Sequence, residues 1–149
     1  MEIYSGFRKY EIYEVISNGE LIFTAENKSS FFVEKVHFYN KNNDIIIKSK
    51  HIPLILIKTN YKLNFIDGKS HYLKCFLGKS VLLYNSKNYC VGHSFGKVDK
   101  LLVDNIVIGE LKVLESGLSK YNIEISCDRE GFCFIFSIMC ILLYTFDVN

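Results

Sequence analysis

The sequence predicts a mainly β protein, a closed antiparallel barrel of about 12 strands enclosing a hydrophobic C-terminal α-helix. Three observations carry the prediction. Apolar segments of strand length recur between turn residues at intervals of about 8–12 residues. The segment 121–127 alternates cleanly, with Tyr121, Ile123, Ile125 and Cys127 on one face and Asn122, Glu124 and Ser126 on the other. Finally, the run from Gly131 to Phe146 carries no charge, and its only clearly polar side chains are Ser137 and Thr145.

Taken in order, residues 11–16 read as a strand, Ser17-Asn18-Gly19 as a turn and 20–25 as the returning strand. Residues 31–39 follow and are broken by Asn40-Lys41-Asn42-Asn43. Residues 44–50 and 54–59 flank Pro53, which marks an edge or a corner because proline cannot donate to a ladder. Residues 61–66 end at Asp67-Gly68, 72–77 at Gly78, and 81–84 at Asn85-Ser86. Residues 101–103 and 106–113 flank Asp104-Asn105, the composition of a two-residue hairpin turn. Polar residues along one face of 121–127 indicate an antiparallel sheet with one side in water. No amphipathic helix lies between strands, which disfavours a βαβ fold.

The final segment, REGFCFIFSIMCILLYTF, predicts a helix over about 129–145 with Asp128 as N-cap and Glu130 in its first turn. Phe132, Phe134, Ile135, Phe136, Ile138, Met139, Ile141, Leu142 and Leu143 cover all its faces. A helix apolar all round must be surrounded by protein or by lipid. Residues 132–144 span about 20 Å as a helix, short of a bilayer core of about 30 Å, and no basic flank follows them. The remaining solution is a protein wall on every side, so the helix belongs inside the barrel and no transmembrane segment is expected.

The chain has 149 residues, 49% hydrophobic and 23% charged, the composition of one globular domain over 1–149. Its net charge of +2 gives no reason to expect a nucleic-acid partner. The first residues mix charges with apolar groups, so no secretory signal is expected there. Five cysteines without C-x-x-C spacing do not form a disulfide framework, and a reducing cytoplasmic setting is the expectation.

Motifs of catalysis fail on inspection. Gly68-Lys69-Ser70 and Gly78-Lys79-Ser80 lack the glycine five residues earlier that a phosphate loop needs; Leu63 and Leu73 stand there. His71, Cys75, Cys90 and His93 resemble zinc spacing superficially, yet residues four apart on a strand are about 13 Å apart. Cys90 with His93 is the one pair that could serve a cysteine-dependent enzyme, and it carries no local signature. No metal, no cofactor and no catalytic role are expected. Lys48, Lys50, Lys58 and Lys62 fall within fifteen residues on neighbouring predicted strands. They are either solvated strand-edge charges that block aggregation or, if they converge, an anion-binding patch.

Four stretches also carry a resemblance. NGELIFTAENK from Asn18 and NNDIIIKSKHI from Asn42 are similar to recurring strand units of the tubby C-terminal-like family, including its LURP-one-related and phospholipid-scramblase-like branches. LLVDNIVIGELKV from Leu101 resembles that family's strand-turn-strand hairpin. YNIEISCDREGFCFIFSIMCILLYTF from Tyr121 resembles its last strand running into the central helix. The resemblance implies a barrel threaded by its C-terminal helix and a non-catalytic binding or scaffold role. It further implies anionic lipid or phosphoinositide-like head groups as ligands at the surface of a membrane. A protein-interaction module without lipid binding is the alternative expectation.

Overall fold

The structure, a computed structural model, describes residues 1–30, 33–52, 60–76, 79–92, 98–116 and 120–145. Its strands are β1 (Glu2–Lys9), β2 (Ile12–Ser17), β3 (Glu20–Asn27), β4 (Lys35–Asn40), β5 (Ile45–Ile52) and β6 (Asn60–Phe65). They continue as β7 (Ser70–Phe76), β8 (Lys79–Tyr84), β9 (Lys87–Gly92), β10 (Val98–Val103), β11 (Ile106–Ser116) and β12 (Lys120–Cys127). Helix α1 (Cys133–Cys140) follows and widens into a π-type turn over Ile141–Thr145.

Each strand pairs antiparallel with the next, and β12 returns to pair with β1, so the meander closes on itself. The closing seam runs in unbroken register from Glu2↔Cys127 to Lys9↔Lys120. Closure removes both sheet edges, which would otherwise template aggregation. Tight turns gather at the end where the helix enters. At Asn18-Gly19, Asn85-Ser86 and Asp104-Asn105 both central residues have positive φ, the geometry whose twist matches the flanking strands. These are the turns expected from the sequence.

Alternation decides what lies inside. Tyr13, Val15, Phe23, Ala25, Phe38, Leu63, Leu73, Leu82, Leu101 and Leu111 are buried in the lumen, and so are Ile123, Ile125 and Cys127 of β12, as that strand's pattern predicts. The helix fills the space they enclose, with Ile135, Phe136, Ile138, Met139, Ile141 and Leu142 buried. Each fully buried side chain of this size contributes about 1.5–3 kcal/mol relative to exposure. Aromatic rings hold the helix from two sides. Tyr89 meets Phe132 at 6.0 Å and Phe136 at 5.3 Å between centroids, and Phe23 meets Phe134 at 5.4 Å. Two buried hydroxyls are satisfied locally: Ser49 donates to the Val36 carbonyl at 2.9 Å and Ser137 to the Phe134 carbonyl at 2.7 Å.

Several expectations need correction. The helix starts at Cys133 rather than at residue 129, because Gly131 turns the chain with φ 94° just before it. Phe132, in place of Asp128, occupies the N-cap position, and no acidic residue lies in the first turn. Phe132, Phe134 and Leu143 are only partly buried against the core rather than enclosed. Strands β1 and β9 are additions to the elements read from the sequence, and β4 begins at Lys35 rather than at residue 31. The strand expected at 54–59 and Pro53 beside it lie outside the described residues.

Candidate functional site

Register brings the lysines together. Lys50 on β5 stands directly opposite Lys35 on β4 and directly opposite Lys62 on β6. One step along the strands, Lys48 faces His37 on β4 and Asn64 on β6. All these side chains occupy outward positions, alternating with the buried Val36, Phe38, Ile47, Ser49 and Leu63. Directly opposed positions put β-carbons about 4.5–5.5 Å apart, and like charges so placed destabilise a sheet. Three lysines therefore stand side by side across three strands. Among the described residues, neither Lys35, Lys48, Lys50 nor Lys62 makes an ion pair; Lys28 pairs with Glu26 at 3.2 Å and Lys112 with Glu110 at 3.3 Å.

The face extends around the barrel. Strands β4 to β8 carry Lys35, Lys48, Lys50, Lys62, Lys74 and Lys79 without a single aspartate or glutamate, whereas Lys87 of β9 shares the parity of the luminal Tyr89 and lies 4.9 Å over the Phe132 ring. Strand-borne carboxylates lie on the other six strands, Glu14, Glu26, Glu110 and Glu124 among them, while Glu34, Asp44 and Asp67 stand in the connections at the ends of β4 to β7. A net charge near neutrality thus coexists with an outer strand face over β4 to β8 whose only charged side chains are lysines. Beside the lysine row, Tyr72 faces Lys62 across β6–β7, and Tyr72 and Leu83 are exposed large side chains.

His37 reports those charges. Partial burial, and then the charges of Lys48, Lys28 and Lys35, hold its imidazole below its ordinary value of 6.5. Its ring lies 6.4 Å from that of Tyr39. An anion laid over Lys48 and His37 would favour the protonated ring, so anion binding and proton uptake are coupled here.

Of the lysines expected from the sequence, Lys48, Lys50 and Lys62 converge, and Lys58 lies outside the described residues. Lys35, Lys74 and Lys79 join them only through strand register, and they lie outside the fifteen-residue window that holds the others.

The nucleophile candidates fare differently. Burial raises the Cys90 thiol, with Lys79 opposing the shift, and His93 lies outside the described residues. A hydrogen bond with Cys127, then burial, pushes the Cys133 thiol well above the ordinary range, and burial does the same to Cys140. Such sulfurs stay protonated and weakly nucleophilic at neutral pH. His71 packs edge-on against the stacked rings of Phe65 and Tyr84 at 5.0 and 4.9 Å, with Nδ1 3.3 Å from the Leu83 carbonyl. Among the described residues no three of histidine, cysteine, aspartate and glutamate stand together as metal ligands, and no helix is long and apolar enough to cross a membrane.

Compared with known proteins, the chain matches no family model, no curated protein and no solved structure.

Proposed function

We propose that this protein is a non-catalytic binding domain that docks its basic outer face on a polyanionic surface, with anionic lipid head groups as the ligand. The observation that carries the reading is the row Lys35–Lys50–Lys62, three like charges in direct register with no carboxylate on their strands. A counter-anion relieves their mutual repulsion, and a convex face of point charges suits a layer of phosphates better than a single buried ligand. The bordering Tyr72 and Leu83 add amphipathic contact of the kind favoured at a membrane interface. A tubby-like identity, with its phosphoinositide-binding relatives, points the same way and belongs to the same proposal, as does a peripheral membrane location in the cytoplasm.

Flotation with vesicles tests it, comparing neutral phosphatidylcholine with the same lipid carrying phosphatidylserine or a phosphoinositide. Each lysine near an anionic surface contributes about 1 kcal/mol, so the K50A/K62A double variant should bind about 30-fold more weakly at low salt. Raised salt should weaken the wild type in the same way, since the contacts are exposed. Equal binding to neutral vesicles, or affinity unchanged in K50A/K62A, would remove lipid recognition from the reading. Preferential capture by short duplex DNA would replace it.

A further inference from the structure

The outer face of the β1–β2 hairpin is inverted for a surface in water. On β1 the outward positions hold Ile3, Ser5, Phe7 and Lys9, whereas the inward ones hold Tyr4, Gly6 and Arg8. Arg8 is 8% exposed and Phe7 44%. Gly6 explains the inversion locally, because a β-carbon there would run into the ring and hydroxyl of the buried Tyr13. Tyr13 therefore fills the lumen beside β1, and the apolar side chains of that strand are left outside. Ile12 on β2 is 49% exposed, and Tyr10, held at φ 58° in the turn, is 69% exposed. Phe7, Tyr10 and Ile12 border a surface depression of about 710 Å³ whose rim carries Lys9, Glu11 and Glu14.

Concentrated apolar surface of this kind marks an interface. The barrel is closed at this hairpin, so a partner cannot add a strand and must meet side chains. The register then selects the partner. Phe7 lies opposite Glu14, and Lys9 lies opposite Ile12. These four outward residues form a near-square, about 5 Å across the strands and about 6.7 Å along them. A two-fold axis along the Phe7–Ile12 diagonal lays Phe7 on Phe7 and Ile12 on Ile12. The same rotation sets Lys9 against Glu14 of the partner subunit, and Glu14 against the partner subunit's Lys9. The protruding Tyr10 adjoins the depression it would enter on the other copy. A patch that is its own complement in shape, apolarity and charge is what an isologous interface requires.

We infer that the protein forms a two-fold symmetric homodimer through the outer face of β1 and β2. The dimer leaves the lysine face of β4 to β8 uncovered, and it stands or falls independently of lipid binding.

Sedimentation velocity of the full chain, from low micromolar to millimolar concentration, should show a concentration-dependent dimer. F7E should sediment as a monomer while melting like the wild type, since Phe7 contributes little to the core. K9E and E14K place like charges face to face in their own homodimers and should each be monomeric. Mixed in equal amounts they should associate, because both cross-pairs are then attractive, and no effect within one chain can produce that rescue. A wild type that is monomeric at millimolar concentration overturns the inference. So does a dimer that survives F7E, or a mixture of K9E and E14K that fails to associate.

Discussion

Helix α1 receives its cap from the opposite end of the chain. No side chain of its own segment caps it at Phe132. Instead Glu2, at the start of β1, accepts hydrogen bonds on Oε1 from the backbone N–H of Gly131 at 3.2 Å and of Cys133 at 3.0 Å, and on Oε2 from Gly131 at 3.3 Å. The first N–H groups of a helix have no partner within it, and they concentrate its positive dipole end. Replacing Glu2 with alanine removes a charged acceptor from one such donor, the Cys133 N–H, and from the Gly131 N–H just ahead of the N-cap. Hydrogen bonds to charged groups are worth about 1.5–3 kcal/mol when partly buried, and water can reach this rim, so the expected loss for Glu2→Ala is about 2 kcal/mol. Glu2→Gln keeps one acceptor oxygen and loses the charge, so about 1 kcal/mol is expected. For a chain of this length about 2 kcal/mol lowers Tm by about 4–8 °C. Urea unfolding followed by far-UV and near-UV circular dichroism measures it, with an unchanged slope required for a clean comparison. An E2A variant within about 0.5 kcal/mol of the wild type would refute the cap, because surface substitutions away from special features fall in that range.

Two further outcomes follow from the helix and the basic face. Ile138→Lys should yield no soluble folded protein, since Ile138 is fully buried and a charge at this position has no route to water; a cooperative melt at the wild-type temperature would contradict the enclosed helix. His37 is held below 6.5, so its unfolded form binds more protons in the interval beneath that value, and this contribution to stability declines as pH falls through it. His37→Gln should flatten that part of the urea midpoint against pH. Vesicle affinity of the wild type should move the other way and strengthen on acidification, whereas the variant should lose the added response.

Much of the fold was legible because its signals are local. Asp104-Asn105 turns as its composition requires, and Ile123, Ile125 and Cys127 face the lumen as their spacing requires. The helix was legible in its burial but not in its start, because Asp128 and Glu130 are the nearest acids while the cap is contributed by Glu2, far away in sequence. Strand β1 is not legible because its apolar residues Ile3 and Phe7 face outward around Gly6, which leaves no hydrophobic alternation aimed at a core. Strand β9 offers only Tyr89 and Val91 to the lumen between Lys87, Asn88 and Cys90. The lysine face was half visible. Lys48, Lys50 and Lys62 are close in sequence, whereas Lys35 becomes a neighbour of Lys50 only through the β4–β5 register. The Phe7–Glu14 and Lys9–Ile12 pairs likewise exist only once the hairpin is closed.

The seam between β1 and β12 has a consequence for how the protein is made. Synthesis runs from the N-terminus, so β1 emerges well before its second partner β12 and the plug that occupies the lumen. Until residues 120–140 follow, β1 and β11 lack the strand that stands between them and the lumen lacks its plug. A chain truncated within β11 would therefore present two unsatisfied sheet edges, a template for pairing with other chains. Helix, β12 and the Glu2 clasp close the molecule together, because each depends on residues beyond β11.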